Sequence, residues 1–492
     1  MGVRMARCTL VIVITGLFMA YFPFVPRANV AYGQEKLAVR VDAAEYTPRK
    51  RLPTDRWDPP SYLWVLEKKY EGLHPGVDIQ FIEPPEGMDR DIWLTTQFTG
   101  GTAPDVSTQL FSEVNRNAYK GWYVDLAPYL GKPNPYVKGN KRWRDIFLPI
   151  TIETGLAPEG KSMFVLPTGL TGTAIFYNKE IFRKVGISVP ETWKEFIDLQ
   201  AKIKGAGYIP FAWPGTEKMR FNWALRVIQD MILDSKLPEI KGAKGKVKRG
   251  NVEGSGISQK ELVMAIRKGT YSAKDPQWQE QLRLLKQWSQ FWQPGYLGVD
   301  ADGMYMLYIT GKAAMMYESA GRIKPVEVDP LRKFEYGLFY FPKITKESSK
   351  YATGIGAAAV GGATGAGAWI IPSITEKRGT KEQAIDWLRF ITAPQNFVPM
   401  ANDYGGTAPS LVERPGLDPR LEPFVKSLEN GVFRIESFYR GLTREYADNF
   451  FKILQDFLAG RYELKVACEK IQAEMEKSAN ELIAAHPEWG IK

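Results

Sequence analysis

Cysteine and histidine are almost missing: the 492 residues contain Cys8 and Cys468, His74 and His486, and no others of either kind. Two thiols build neither a disulfide framework nor a cysteine zinc site. Each histidine is followed by proline in a turn-like setting, and a His-based metal centre would need both plus other ligand types. No metal and no cofactor is expected, and a histidine-dependent catalytic triad is disfavoured. A strong excess of one charge is missing too. The formal net charge is +10, with basic residues scattered among acidic ones, so nucleic acid is not an expected partner. Hydrophobic residues at 44% and charged residues at 24% exclude disordered and collagen-like architectures. Aromatic residues are abundant, with 14 Trp, 23 Tyr and 25 Phe, enough for packed interiors and for flat ligands. At about 100 to 200 residues per domain the chain makes two to four domains.

Arg4 and Arg7 precede an apolar stretch from Thr9 to Val25, and Ala31-Tyr32-Gly33 before Gln34 offers the small residues that a signal peptidase needs. Residues 1 to 33 read as a removed export signal. Without Arg4, Arg7 and Arg27, and with no acid lost, the charge excess falls from +10 to +7. A retained membrane anchor is the alternative, opposed by Pro23, Pro26 and the cleavage-like tail. Cys8 precedes the apolar run, whereas a lipid-bearing cysteine must follow it, so a lipoprotein is not expected. Cys468 falls in an apparent helix as a buried structural thiol.

The rest alternates short strands with amphipathic helices, an α/β pattern. Leu37, Val39 and Val41 alternate as a strand. Ser61 to Tyr70 carries Tyr62, Val65, Leu66 and Tyr70 at helical spacing. Thr192 with Glu195, and Ser258 with Glu261, form capping boxes that start two helices. Trp278, Leu282, Leu285, Trp288 and Trp292 mark one helix face, read as core. The Lys- and Gly-rich stretch from Lys236 to Gly256 reads as a solvated loop.

Two phosphate-like motifs are weak. Gly155 to Ser162 matches G-x-x-x-x-G-K-[ST], but Pro158-Glu159-Gly160-Lys161 reads as a turn into a strand, the reverse of a phosphate-binding loop that leaves a strand and opens a helix. Gly354 to Ala359 matches G-x-G-x-x-[GA] with no apolar strand before it. A glycosidase needs two carboxylates about 5 to 10 Å apart, and no spacing among the 55 acids singles out a pair.

A series of segments carries a joint signal: Leu66-Glu67-Lys68-Lys69-Tyr70 with Pro75-Gly76-Val77, Gly101 to Val106, Tyr123 to Leu130, and Glu159 to Ser162. Ile175 to Phe182, Val185-Gly186, Pro190 to Trp193, Gly311 to Met315, Gly365 to Pro372 and Ala384 to Phe390 continue it. In this order they resemble the extracellular solute-binding proteins of ABC importers, particularly the maltose- and oligosaccharide-binding class. The resemblance implies an α/β, two-lobed periplasmic-binding-protein-like fold with a ligand cleft between the lobes. The expected division puts residues 34–170 and 341–403 in the N-terminal lobe, and 171–340 and 404–492 in the C-terminal lobe. Crossings are expected near Thr168 to Thr173, Phe339 to Pro342 and Tyr404 to Thr407.

The implied function is an exported, non-enzymatic monomer that captures a carbohydrate and delivers it to a membrane ABC permease. The alternatives are an extracellular glycan hydrolase and a binding protein for a non-sugar solute. A sugar offers C–H faces and a hydroxyl rim, so its cleft needs aromatics and polar side chains. Phe211 to Trp223 resembles the family's carbohydrate-stacking loop, giving Trp213, Glu217 and Trp223 as candidates, with Trp213 expected to face the mouth of the cleft. By position the resemblance adds Asp42, Glu45, Gln109, Ser112, Glu318, Gly365, Gly367, Tyr404 and Tyr446. Ser319-Ala320-Gly321-Arg322 stands where many relatives have a stacking Trp, which implies a wider pocket or a pairing role for Arg322.

Overall fold

The computed structural model describes residues 36–53, 55–110, 113–114, 117–157, 160–242, 257–354, 367–426 and 441–491. The export signal, Ser112, Gly365, most of the Lys-rich loop and most of the Gly354 motif lie outside them. Eleven strands appear among the described residues: β1 Leu37–Val41, β2 Val77–Phe81, β3 Ser107–Thr108, β4 Leu166–Pro167, β5 Gly169–Leu170, β6 Thr173–Asn178, β7 Ile209–Ala212, β8 Ala313–Ser319, β9 Tyr336–Phe339, β10 Ala368–Ile370 and β11 Ala408–Pro409.

In the first lobe β1 and β2 pair in parallel, which demands a crossover, supplied by the helix Tyr62–Leu73. That helix buries Leu63, Leu66 and Tyr70, while Val65 points to water at 49% exposure. The buried face is thus rotated from the one expected through Val65, because Leu63 rather than Val65 meets the sheet side. Beside it β10 pairs antiparallel with both β3 and β4. Strands from the start of the chain and from residues 368–370 therefore share one lobe, whose core mixes aliphatic side chains with rings such as Tyr70, Trp369 and Trp387.

The second lobe is built on a four-stranded sheet in the order β7-β8-β6-β9, with β7 and β8 parallel and the other pairs antiparallel. Both expected capping boxes are formed, heading the helices Trp193–Gly205 and Gln259–Lys268. The expected Trp278 to Trp292 stripe is buried throughout. The helices Arg444–Leu458 and Leu464–Ala485 close this core, with Cys468 inside it. Burial pushes the Cys468 thiol up to about 12, so it stays protonated and inert.

The lobes meet where β5 pairs antiparallel with β11, which brings two expected crossings, Thr168–Thr173 and Tyr404–Thr407, side by side. The third differs. Phe339, Phe341, Ile344 and Ala352 pack into the second core, and the Thr353 N–H donates to Met231 O at 3.0 Å. Residues 341–353 thus bury aromatic and aliphatic side chains under the second lobe's helices, and the next residues described after Gly354, Gly367 to Ile370, belong to the first lobe. The described flanks of the Gly155 motif reverse direction after the helix Pro149–Gly155, with Leu156 paired antiparallel to Met163 and the Ala157 N–H donating to Ser162 O; Pro158 and Glu159 of the expected turn lie outside the described residues.

Gly215, just past β7, is required by close approach. A Cβ there would stand 2.2 Å from Tyr296 O and 2.5 Å from Leu297 Cα, both backbone atoms. Gly215→Ala is expected to lower stability by about 1–3 kcal/mol through overpacking, read as the urea midpoint of the ligand-free protein. An unchanged midpoint would mean that the 296–297 turn moves aside at no cost.

Candidate binding cleft between the lobes

The first wall starts where β1 ends. Asp42 is fully buried, pairs with the Arg90 guanidinium and accepts from Ser107 Oγ at 2.6 Å, while its second oxygen accepts the Ala44 N–H at 3.2 Å. Arg90 also donates to Thr108 O at 2.6 Å and Thr108 Oγ1 at 3.0 Å. This network holds Ala44 at φ +46°, a left-handed conformation unusual for a residue with a side chain. The following turn presents Glu45 to solvent and turns Tyr46 inward, edge-on to Tyr404 at 5.0 Å and stacked near Trp369 at 6.3 Å. Glu45 touches water yet is surrounded by the concave wall. Desolvation raises its pKa, with its own backbone hydrogen bond and Arg90 opposing and Asp42 adding to the rise.

The second wall is the end of β8 and the start of the helix Lys218–Leu233. Glu318, 1% exposed, accepts Arg220 Nη2 at 2.6 Å, Arg322 Nε at 3.3 Å and the Ser319 N–H at 2.8 Å. The Arg220 guanidinium lies 4.5 Å from the ring centre of half-buried Trp223, whose ring stands edge-on to Tyr317 at 6.4 Å.

A segment that sequence reasoning passed over joins the walls. Residues 47–60 leave the first lobe, and Arg56 pairs with the buried carboxylate of Asp329 at 2.8 Å. The same guanidinium lies 4.9 Å from the Tyr305 ring, and Trp57 packs at 6.0 Å from it. Asp403 of the first lobe pairs with Lys324 of the second and accepts the Ser61 and Tyr62 N–H groups at 2.6 and 2.9 Å. Between them opens a cavity of about 410 Å³, lined by Glu45, Arg56, Trp57 and Tyr404 on one side and by Gly321 and Lys324 on the other. The run of charges between Pro53 and Pro59-Pro60, too long for a strand-to-helix connection, was the available signal.

The expected site residues divide accordingly. Glu45 and Tyr404 line the cavity, while Trp223 and Arg322 lie partly exposed on the second lobe around Glu318 and Arg220 and are not among its lining residues. Glu217, half exposed, precedes the helix Lys218–Leu233 without a side-chain cap. Asp42, Gln109 and Glu318 stand behind the walls: they are 0, 5 and 1% exposed, and Gln109 accepts from Tyr123 Oη at 2.9 Å. Gly367, at φ +80°, makes its close approach to Thr168 and Gly169 of the crossing.

Two aromatic expectations need correction as well. Trp213 does not face the mouth. It is fully buried, stacked on Trp292 at 4.3 Å and pinned through its backbone by the Gln293 amide, which meets its N–H at 2.8 Å and its C=O at 2.7 Å. Strand alternation explains this, because Phe211 and Trp213 share a face and Phe211 is core. Tyr446 is likewise core, 1% exposed beside Phe450, since it lies on the buried stripe of its helix.

Residues 58–396 match the family of bacterial extracellular solute-binding proteins, and the chain belongs to that family. Among curated proteins, the multiple sugar-binding protein of Streptococcus mutans is 39% identical over 62 residues, 13% of this chain and 15% of that one. A Brucella abortus protein described as a binding protein is 29% identical over 182 residues, 34% of this chain and 36% of that one. The matches thus span 15 to 36% of those relatives' own lengths. Among solved structures, a chitin oligosaccharide binding protein superposes with TM-score 0.63 at 17% identity, covering 91% of this chain and all of its own. RafE of Streptococcus pneumoniae gives 0.60 at 16%, covering 90 and 98%, and maltose-bound MalE3 of T. maritima 0.58 at 16%, covering 89 and 99%. The two-lobed fold is common to all three. No helix among the described residues is long and apolar enough to cross a membrane.

Two variants test this placement. Trp213→Ala should lower stability by about 3–5 kcal/mol through a cavity in the ring stack, measured by denaturant unfolding without ligand; an unaffected midpoint would return Trp213 to the list of exposed rings. Glu45→Gln should raise the ligand-free melting temperature at neutral pH, because it removes a carboxylate that burial penalises when charged. With the folded pKa raised, that penalty is full above the folded value and vanishes below the ordinary carboxylate range, so the gain should fade as pH is lowered through that window.

Proposed function

We propose that this solute-binding protein captures a carbohydrate between its lobes and delivers it to a membrane ABC permease. The supporting observation is a cavity lined from both lobes; the second lobe also carries a half-buried Trp next to buried carboxylate and guanidinium groups. An indole face suits the C–H side of a pyranose, and the charged rim suits its hydroxyls. Trp223 supplies the face, and Glu45, Tyr404 and Arg322 supply polar contacts. Related proteins named for sugars, among them multiple sugar-binding protein, RafE with raffinose and maltose-bound MalE3, support the ligand class. Residues 1–33 act as a cleaved export signal without a lipid anchor. The mature chain works as a monomer and carries out no catalysis.

A solute that touches both walls binds the closed form better and so draws the lobes together. In a thermal-shift screen over mono- and oligosaccharides, a bound sugar at about 100 times its Kd should add about 2.7 kcal/mol. For that sugar, Trp223→Ala should weaken binding at least tenfold with little change in the ligand-free melting temperature, and scattering should show a smaller radius of gyration with sugar bound. Binding with an unchanged radius would contradict the cleft, and a flat screen would contradict the sugar.

A further inference from the structure

Residues 47–57 lie outside the span that matches the solute-binding family, residues 58–396, yet the segment 47–60 is held at every point. Both of its ends belong to the first lobe: the Thr47 N–H donates to Ala44 O at 2.9 Å, and just past Pro60 the Ser61 and Tyr62 N–H groups donate to Asp403. It is braced from within. Arg49 and Asp55 meet fork to fork at 2.6 and 2.8 Å, and Asp55 also accepts the Leu52 N–H at 2.7 Å, contacts that hold its carboxyl down at about 2. Its far side docks on the second lobe through Arg56 and the buried Asp329. A stretch without helix or strand is thereby fixed in place, and it gives Arg49, Asp55, Arg56, Trp57 and residues 58–60 to one side of the cavity between the lobes.

Two large rings line that cavity, Trp57 and Tyr404. Tyr404 is already engaged, edge-on to Tyr46 at 5.0 Å and hydrogen-bonded with Thr407. Trp57 is half-buried, and among the described residues its ring meets one other ring, Tyr305, at 6.0 Å and a tilt of 60°. The Arg56 guanidinium stands 5.9 Å from its centre, at the outer limit of a cation–π contact. Neither contact sandwiches the indole. A flat ring on a fixed segment loses little freedom when a ligand covers it. Glu45 and Glu83 line the same cavity, and as carboxylates they accept hydrogen bonds, which suits the hydroxyl rim around a sugar's C–H face.

Resting on the carbohydrate reading above, we infer that the segment 47–60 is one wall of the solute site and that Trp57 is the ring on which a sugar stacks there. Trp57 is then a specificity-determining residue, distinct from Trp223, which stands outside the lining of the cavity.

The test takes the sugars that bind the mature chain in the thermal-shift screen, with maltose, raffinose and chitobiose among its probes, and measures their affinity by calorimetry. Trp57→Ala should weaken binding at least tenfold. Trp57→Leu, which keeps apolar bulk against Tyr305 without a flat face, should lose as much, and Trp57→Phe, which keeps a flat ring, should lose less. In protein labelled with 5-fluorotryptophan, the fluorine resonance that is missing from Trp57→Phe should shift when the sugar is added. Unchanged affinity in Trp57→Ala and Trp57→Leu, or a Trp57 resonance that stays in place, would overturn the inference and leave the carbohydrate reading standing. Equal losses in all three variants, together with a lowered ligand-free melting temperature, would make Trp57 a packing residue of the segment and overturn it as well. If no sugar binds the parent protein, the carbohydrate reading falls and the stacking role with it. Should Trp57→Ala not fold, Trp57→Phe and the fluorine resonance still decide.

Discussion

A carboxylate buried at the end of a strand must be met by a cation, and the cleft of this protein is organised around that requirement. Stripping water from a charge costs far more than a fold can spare unless a partner with good geometry replaces it. Asp42, Glu318 and Asp329 all lie essentially out of water, and each draws an arginine from elsewhere in the chain: Arg90, Arg220 and Arg56. In meeting those charges the arginines fix the strand ends, the helix Lys218–Leu233 and the segment 47–60 relative to one another. The walls of the cleft are positioned by the neutralisation of groups behind them.

Tryptophan is used in two ways by the same lobe. Trp213, Trp288 and Trp292 contact one another within 5.4 Å between ring centres and form the floor on which β7 rests. Trp223, one helical turn past Arg220, stays half exposed. A stiff aromatic floor beneath a partly open ring suits recognition, because the open ring loses little freedom when a ligand covers it.

Local signals were legible in the sequence. The two capping boxes and the stripe from Trp278 to Trp288 each depend on residues within one element, and each is present, whereas Trp292 lies past the end of that helix at Ser289. The family resemblance located crossings near Thr168 to Thr173 and Tyr404 to Thr407, but the pairing of β5 with β11 there was not part of it. What escaped depends on phase and on distant partners. Trp213 sits one residue past β7, and the sequence gives no sign that strand alternation continues through it, held by Gln293 from 80 positions away. Asp42 and Glu318 are polar residues at strand ends, indistinguishable from ligand contacts until Arg90 and Arg220 are seen to cover them. Arg56 lies in a segment with no periodicity, and its meaning comes entirely from Asp329.

The segment 47–60 also bears on how the halves can move. A single flexible join lets two bodies swivel in any direction. Here the β5–β11 pairing is one join, and the Arg56–Asp329 contact, with Trp57 lodged beside Tyr305, is another. Two points define a line, and rotation about that line leaves both intact while rotation across it tears one out. With the Asp403–Lys324 pair as a further tie, relative motion of the lobes that keeps all of these contacts is confined to directions that stretch none of them.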